Sequence, residues 1–171
     1  MRVIGPGAAI KQVGRGVVAC TGDQLHAGLT VSVPWVDPEK CIVELAGASN
    51  RYPYGHGEDI FVLLSDGQIT LKQSYNDTSD LLVGWQVKEY AGPVKIQRGL
   101  FSKAAFNDVF TVSIGTVNPE KSELYISYGA PPNNPKKWAY QVSGDGTQIE
   151  FSKPPDSSSY TLDIAWQLVE H

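Results

Sequence analysis

Gly84-Trp85-Gln86-Val87-Lys88-Glu89-Tyr90 decides the reading of this chain, because it returns as Ala165-Trp166-Gln167-Leu168-Val169-Glu170-His171. The two stretches lie 81 residues apart. Thr30-Val31-Ser32-Val33 and Val36-Asp37-Pro38-Glu39-Lys40 come back at the same offset, as Thr111-Val112-Ser113-Ile114 and Val117-Asn118-Pro119-Glu120-Lys121. A third pair, Arg15-Gly16 and Arg98-Gly99, is offset by 83. Three anchors in one order at near-constant spacing point to an internal duplication, which outranks any local signal in setting the fold. The unit is too long for a solenoid repeat and about the length of a small domain. Two domains are expected, 1–91 and 92–171, joined at Gly92-Pro93. That junction is too short to act as a flexible tether. Domains of about 80 residues bury only a modest fraction of their surface, so the copies should lean on each other or on neighbouring chains.

Outward from the anchors, period-two alternation dominates, and no run of ten residues has a convincing helical period. Leu81, Val83, Trp85 and Val87 share one strand face, as Leu162, Ile164, Trp166 and Leu168 do in the second copy. Trp85 and Trp166 are therefore expected in the core, with Thr161, Asp163, Ala165 and Gln167 on a wet face. A further strand puts Trp138, Tyr140 and Val142 inward, with Ile60 to Leu64 as its counterpart. Asp66-Gly67 and Asp145-Gly146 are hairpin signals, since both residue types tolerate positive φ. Asp37-Pro38 and Asn118-Pro119 mark another repeated turn. Six strands per copy follow, near 10–20, 28–34, 40–47, 58–65, 67–73 and 80–90, then 94–103, 108–115, 121–129, 137–143, 147–153 and 160–170. The expected class is all-β: two tandem antiparallel β-sandwich domains, jelly-roll-like in character.

Charged residues make up 19% of the chain, below the usual quarter, which fits an ordered β protein and not a disordered one. Net charge is −4 with no basic stripe, so nucleic acid is not an expected partner. No apolar run is long enough for a membrane helix, and Met1-Arg2-Val3-Ile4-Gly5-Pro6-Gly7 lacks a signal-peptide core. Synthesis in a cytoplasm is expected. Cys20 and Cys41 have no counterparts in the second copy, so two free thiols are expected.

Enzyme chemistry has little support. His26, His56 and His171 form no ligand spacing, and no phosphate loop, nucleophile elbow or zinc motif is present. No catalytic residue, metal or cofactor is assigned. Among the polar residues kept in both copies, Glu89 and Glu170 fall on the inward parity and need partners. Arg15, Lys40, Arg98 and Lys121 are the available cations, giving expected structural ion pairs. The loops at 47–59 and 129–138 differ most between copies. Arg51, Tyr52, Tyr54 and His56 in one, with Lys136, Lys137 and Trp138 by the other, are candidate contacts for a partner protein or a glycan. The first nine residues have no counterpart beyond the junction and are expected to pack on a neighbouring chain.

These motifs resemble a known group. An opening Ile96-Gln97-Arg98-Gly99 (Val13-Gly14-Arg15-Gly16 in the first copy), a Thr-Val-Ser-Val strand, a Val-Asp/Asn-Pro-Glu-Lys turn and a closing Trp-Gln-Val-x-Glu strand are similar to small β-rich virion proteins of tailed bacteriophages, from tail, fibre and head-decoration genes. The departures are Gly14 for Gln and His171 for a final aromatic. The resemblance implies a structural virion protein that contacts other virion proteins and forms a homo-oligomer within the particle. The alternative it leaves is an adhesin that binds a host surface glycan through the two variable loops. A looser likeness, in architecture alone, is to six-stranded agglutinins of the H-type lectin kind.

Overall fold

The computed structural model describes residues 10–50, 60–73, 78–103, 109–129, 139–152 and 162–171. In chain order the first half holds β1 (Ile10–Thr21), α1 (Gly22–Ala27), β2 (Leu29–Ser32), β3 (Cys41–Asn50), β4 (Ile60–Ser65), β5 (Gln68–Gln73) and β6 (Asp80–Tyr90). The second holds β7 (Lys95–Lys103), β8 (Val109–Ser113), β9 (Ser122–Gly129), β10 (Ala139–Val142), β11 (Gln148–Ser152) and β12 (Leu162–Glu170). The protein is all-β, built from antiparallel three-stranded sheets. Their orders are β1-β6-β3 and β2-β5-β4, then β7-β12-β9 and β10-β11-β8. Adding six to each strand number turns the first pair of sheets into the second. Each expected strand is present.

In each half, residues of both sheets share one core. Val43, Val62, Ile69, Leu71, Val83 and Trp85 belong to the first, and Phe110, Ile149, Phe151, Ile164, Trp166 and Leu168 to the second. Both tryptophans are buried. Each indole lies over a glycine on the neighbouring strand. Gly16 pairs with Trp85, and Gly99 with Trp166. A Cβ on Gly16 would come 2.5 Å from Trp85 Cζ2, and one on Gly99 would come 2.7 Å from Trp166 Cζ2. The repeated Arg-Gly dipeptide thus has a steric cause, since only glycine leaves room for the ring. At Gly14, where the second half has Gln97, the Trp35 ring fills the space a side chain would need. Gln97 instead bonds both backbone groups of Gly115.

Turn chemistry acts at the expected places. Asp37 and Asn118 each accept a bond from the backbone N–H two residues on, both at 3.0 Å. Asp66-Gly67 closes a two-residue hairpin between Ser65 and Gln68, with Gly67 at φ +69°. The second Asp-Gly pair works differently. There Ser143 N–H bonds the Gln148 carbonyl, leaving a four-residue loop in which Asp145 accepts from Ser143 Oγ and Thr147 N–H.

Three expectations need correction. A six-residue helix, α1, sits between β1 and β2, capped by reciprocal bonds between Thr21 and Gln24, with Leu25 in the core. Tyr140, expected inward, is 43% exposed. Ala165 and Gln167, expected on a wet face, are 2% and 5% exposed. They are dry because the other half covers them.

Candidate protein interface

β3 ends its sheet, as β4 ends the other. An edge strand leaves a row of N–H and C=O groups unpaired, and a buried unpaired group is costly. The second half meets this need with side chains. Gln167 Nε2 donates to the Val43 carbonyl at 2.6 Å, while Gln167 Oε1 accepts from the Val43 N–H at 3.0 Å. One side-chain amide thereby stands where the peptide of a neighbouring strand would be. Arg98, the cross-strand partner of Gln167, donates through Nη2 to the carbonyls of Pro38 (2.5 Å) and Cys41 (2.8 Å). Ser127 Oγ accepts from the Val62 N–H of β4 at 3.0 Å.

These groups share one face because β-strand side chains alternate. Arg98 on β7, Ala165, Gln167 and Val169 on β12, and Tyr125 and Ser127 on β9 lie in register across the sheet. Beside the polar contacts Ile42, Tyr90 and Val169 form a buried cluster, with Val94, Ile96 and Tyr125 packed on it. The Tyr90 and Tyr125 hydroxyls lie 3.2 Å apart, and the Tyr125 hydroxyl donates to Glu123 at 2.5 Å. Burial, then the hydrogen bond to Glu123, pushes the Tyr125 phenol above its ordinary range. Burial also raises Tyr90. His171 meets the Tyr90 ring edge-on, with centroids 5.4 Å apart. Burial lowers Arg98 from the usual guanidinium value. β6 ends at Tyr90 and β7 begins at Lys95, so four residues link the two strands.

The ion pairs form with other cations than those expected. Glu89 pairs with Lys11 at 2.9 Å, and Glu170 with Lys95 at 3.8 Å. Glu170 also accepts from the Asn118 N–H at 2.6 Å. Arg15 and Arg98 cannot reach these carboxylates, because their strand positions put them on the opposite sheet face, across from Gln86 and Gln167. Lys40 pairs with Asp37 at 3.5 Å, and Lys121 is exposed. Lys11 and Lys95 stand at the outer ends of β1 and β7, positions that the repeat offset of 83 does not align.

Arg51, Tyr52, Tyr54 and His56, and Lys136, Lys137 and Trp138, lie outside the described residues, as does the 1–9 arm. Cys20 and Cys41 are buried and unbonded to each other. His26 Nδ1 lies 3.3 Å from the Gln73 carbonyl. Among the described residues no three His, Cys, Asp or Glu side chains converge on a metal position. No helix among them is long and apolar enough to cross a membrane. The sequence reading expects a carboxylate partner for Arg98 and a wet face for Gln167, and neither is what the fold gives them. Their placement beside each other on adjacent strands supplies a shared role instead. The chain matches no protein-family model, no curated protein and no solved structure.

Proposed function

We propose that this chain is a non-enzymatic structural subunit of a tailed-phage particle. In this reading it is two tandem β-sandwiches related by duplication, and it acts by packing against protein. The observation that carries the reading is how the shared polar side chains are used. Arg98 and Gln167, with Gln167 buried, cap open backbone of the other half of the chain. Side chains that satisfy a strand edge make a fixed, specific contact. A chain whose most distinctive residues serve module-to-module packing is suited to building and not to turnover. The repeated strand order and the two cores support the duplication, and the motif resemblance supports the particle.

Immunogold labelling of purified particles tests this. Regular labelling of many copies on head or tail is expected. A chain absent from particles overturns the reading. So does a chain confined to fibre ends that binds host polysaccharide, which would make it an adhesin.

A further inference from the structure

The interface inside the chain is heterologous: a face of the second half seats on an edge of the first. If the halves are copies of one module, as proposed above, each carries both surfaces, and one of each is left over. The leftover face is on β1 and β6. Arg15 stands across from Gln86 there, as Arg98 stands across from Gln167. Arg15 is exposed, and Val13, Val17 and Leu82 on the same face are 46%, 70% and 50% exposed. The leftover edge is β9 with β10, each ending its sheet among the described residues. The difference in cover is direct. β4, beneath the other half, has Ile60, Phe61 and Val62 each 1% exposed, whereas Ala139, Tyr140 and Gln141 of β10 are exposed.

We infer that copies of this chain associate head to tail, the Arg15–Gln86 face of one molecule seating on the β9–β10 edge of the next. By the repeat, Arg15 would bond the carbonyls of Pro119 and Ser122, and Gln86 the backbone of Leu124. The apolar cluster changes character in this contact. Ile42, Tyr90 and Val169 are replaced by Glu123, His171 and Lys88. The face brings Lys88 to the edge's Glu123, a complementary pair where the internal contact is greasy. Lys88 is 25% exposed, held 2.6 Å from Glu44 with its ammonium 5.7 Å from the Tyr125 ring centre, and Glu123 is 43% exposed, so the pair would form at the partly wetted rim of the internal contact. The internal contact is therefore permanent, and the contact between molecules is reversible and weakened by salt. A heterologous contact closes into a ring or runs on as a filament, according to its rotation.

Sedimentation velocity of the purified chain tests this, over a wide concentration range at low and high salt. Species larger than a dimer are expected at low salt and high concentration, and should dissociate as salt rises. Two variants assign the surfaces. R15A/Q86A removes the face contacts, and E120R/Y140K places cations on the edge, one beside the carbonyls that Arg15 would bond and one on β10. Each alone should lose all species above monomer. Their mixture should form a one-to-one dimer and nothing larger, which also shows both variants folded. A wild-type chain that stays monomeric throughout overturns the inference. So does a symmetric dimer that goes no further, or a variant that assembles like wild type. A monomer in solution that is nonetheless found in particles would refute this contact and leave the structural-subunit reading standing.

Discussion

Gln167→Met keeps the side-chain volume and deletes both bonds to Val43, so it isolates what the capping amide contributes. The Val43 N–H and C=O are left beneath Ala165, Gln167 and Val169, all under 6% exposed, and strand β6 occupies the other side of β3. A buried backbone group that loses its partner costs about 1–3 kcal/mol. Two such groups give a loss of about 2–6 kcal/mol, a large share of the roughly 5–15 kcal/mol that holds a folded domain together. Gln86 is the internal control. It has the same neighbour type, Arg15, but is half-buried, and its one side-chain bond runs to Glu44, which Lys88 also holds. Gln86→Met should cost less than about 1 kcal/mol. Urea unfolding followed by tryptophan fluorescence reads both, with the slope checked for a transition that splits as the halves uncouple. If Gln167→Met unfolds at the wild-type midpoint, or Gln86→Met loses as much, the amide does not hold the halves together.

Further outcomes follow from other contacts. Gly99→Ala should destabilise by about 1–3 kcal/mol by forcing the Trp166 ring aside, and Trp166→Ala by about 3–5 kcal/mol, both read from urea midpoints. Cys41 is fully buried and burial raises its thiol to about 11, so a thiol reagent at mildly alkaline pH should leave it unmodified until denaturant is added. Rapid labelling of the native protein at Cys41 would contradict its placement. The Ser143 hydroxyl, then the Thr147 N–H, holds the Asp145 carboxyl below its usual range. A depressed folded-state value stabilises above the unfolded carboxylate value, near 3.9, and is lost as pH falls through the folded one. Ser143→Ala should therefore be less stable than wild type at neutral pH, with the gap narrowing in strong acid to what the pH-independent bond from the Gln148 N–H contributes. A gap that does not narrow would show that the Asp145 carboxylate has no part in it.

The strands were legible because a strand's alternation and its turn residues are local, and the repeated motifs let each half check the other. Trp85 and Trp166 follow from parity alone. Helix α1 was missed because six residues are too few to show a period, although Thr21-x-x-Gln24 carries a capping signature. The dryness of Ala165 and Gln167 could not be read from the strand. It depends on which face another module covers, and that is a long-range property. Arg15 and Arg98 lie on the other sheet face from Glu89 and Glu170, which only the strand register reveals, because the apolar Val13 and Val17 flank Arg15 on its own face. The pairs that form, with Lys11 and Lys95, depend on the strand ends, where the repeat offset shifts. The loop candidates at 51–56 and 136–138 lie outside the described residues.

Strand β4, Ile60-Phe61-Val62-Leu63-Leu64-Ser65, is an uncharged, β-prone hexapeptide whose outer edge, among the described residues, is covered by the half made after it. At about 5–20 residues per second, a ribosome takes roughly 4–16 s to supply that cover. Throughout that interval the nascent first half carries an edge of the composition that seeds intermolecular strand pairing. The burden during synthesis is thus unequal. A pause after β6 exposes the segment for longer, whereas the later half reaches the tunnel exit with its seat already formed. Codon choice and chaperone access around residues 92–171 should therefore affect yield more than the same changes in residues 1–91. A ribosome stalled near the junction should release aggregated chains more readily than one stalled near the end.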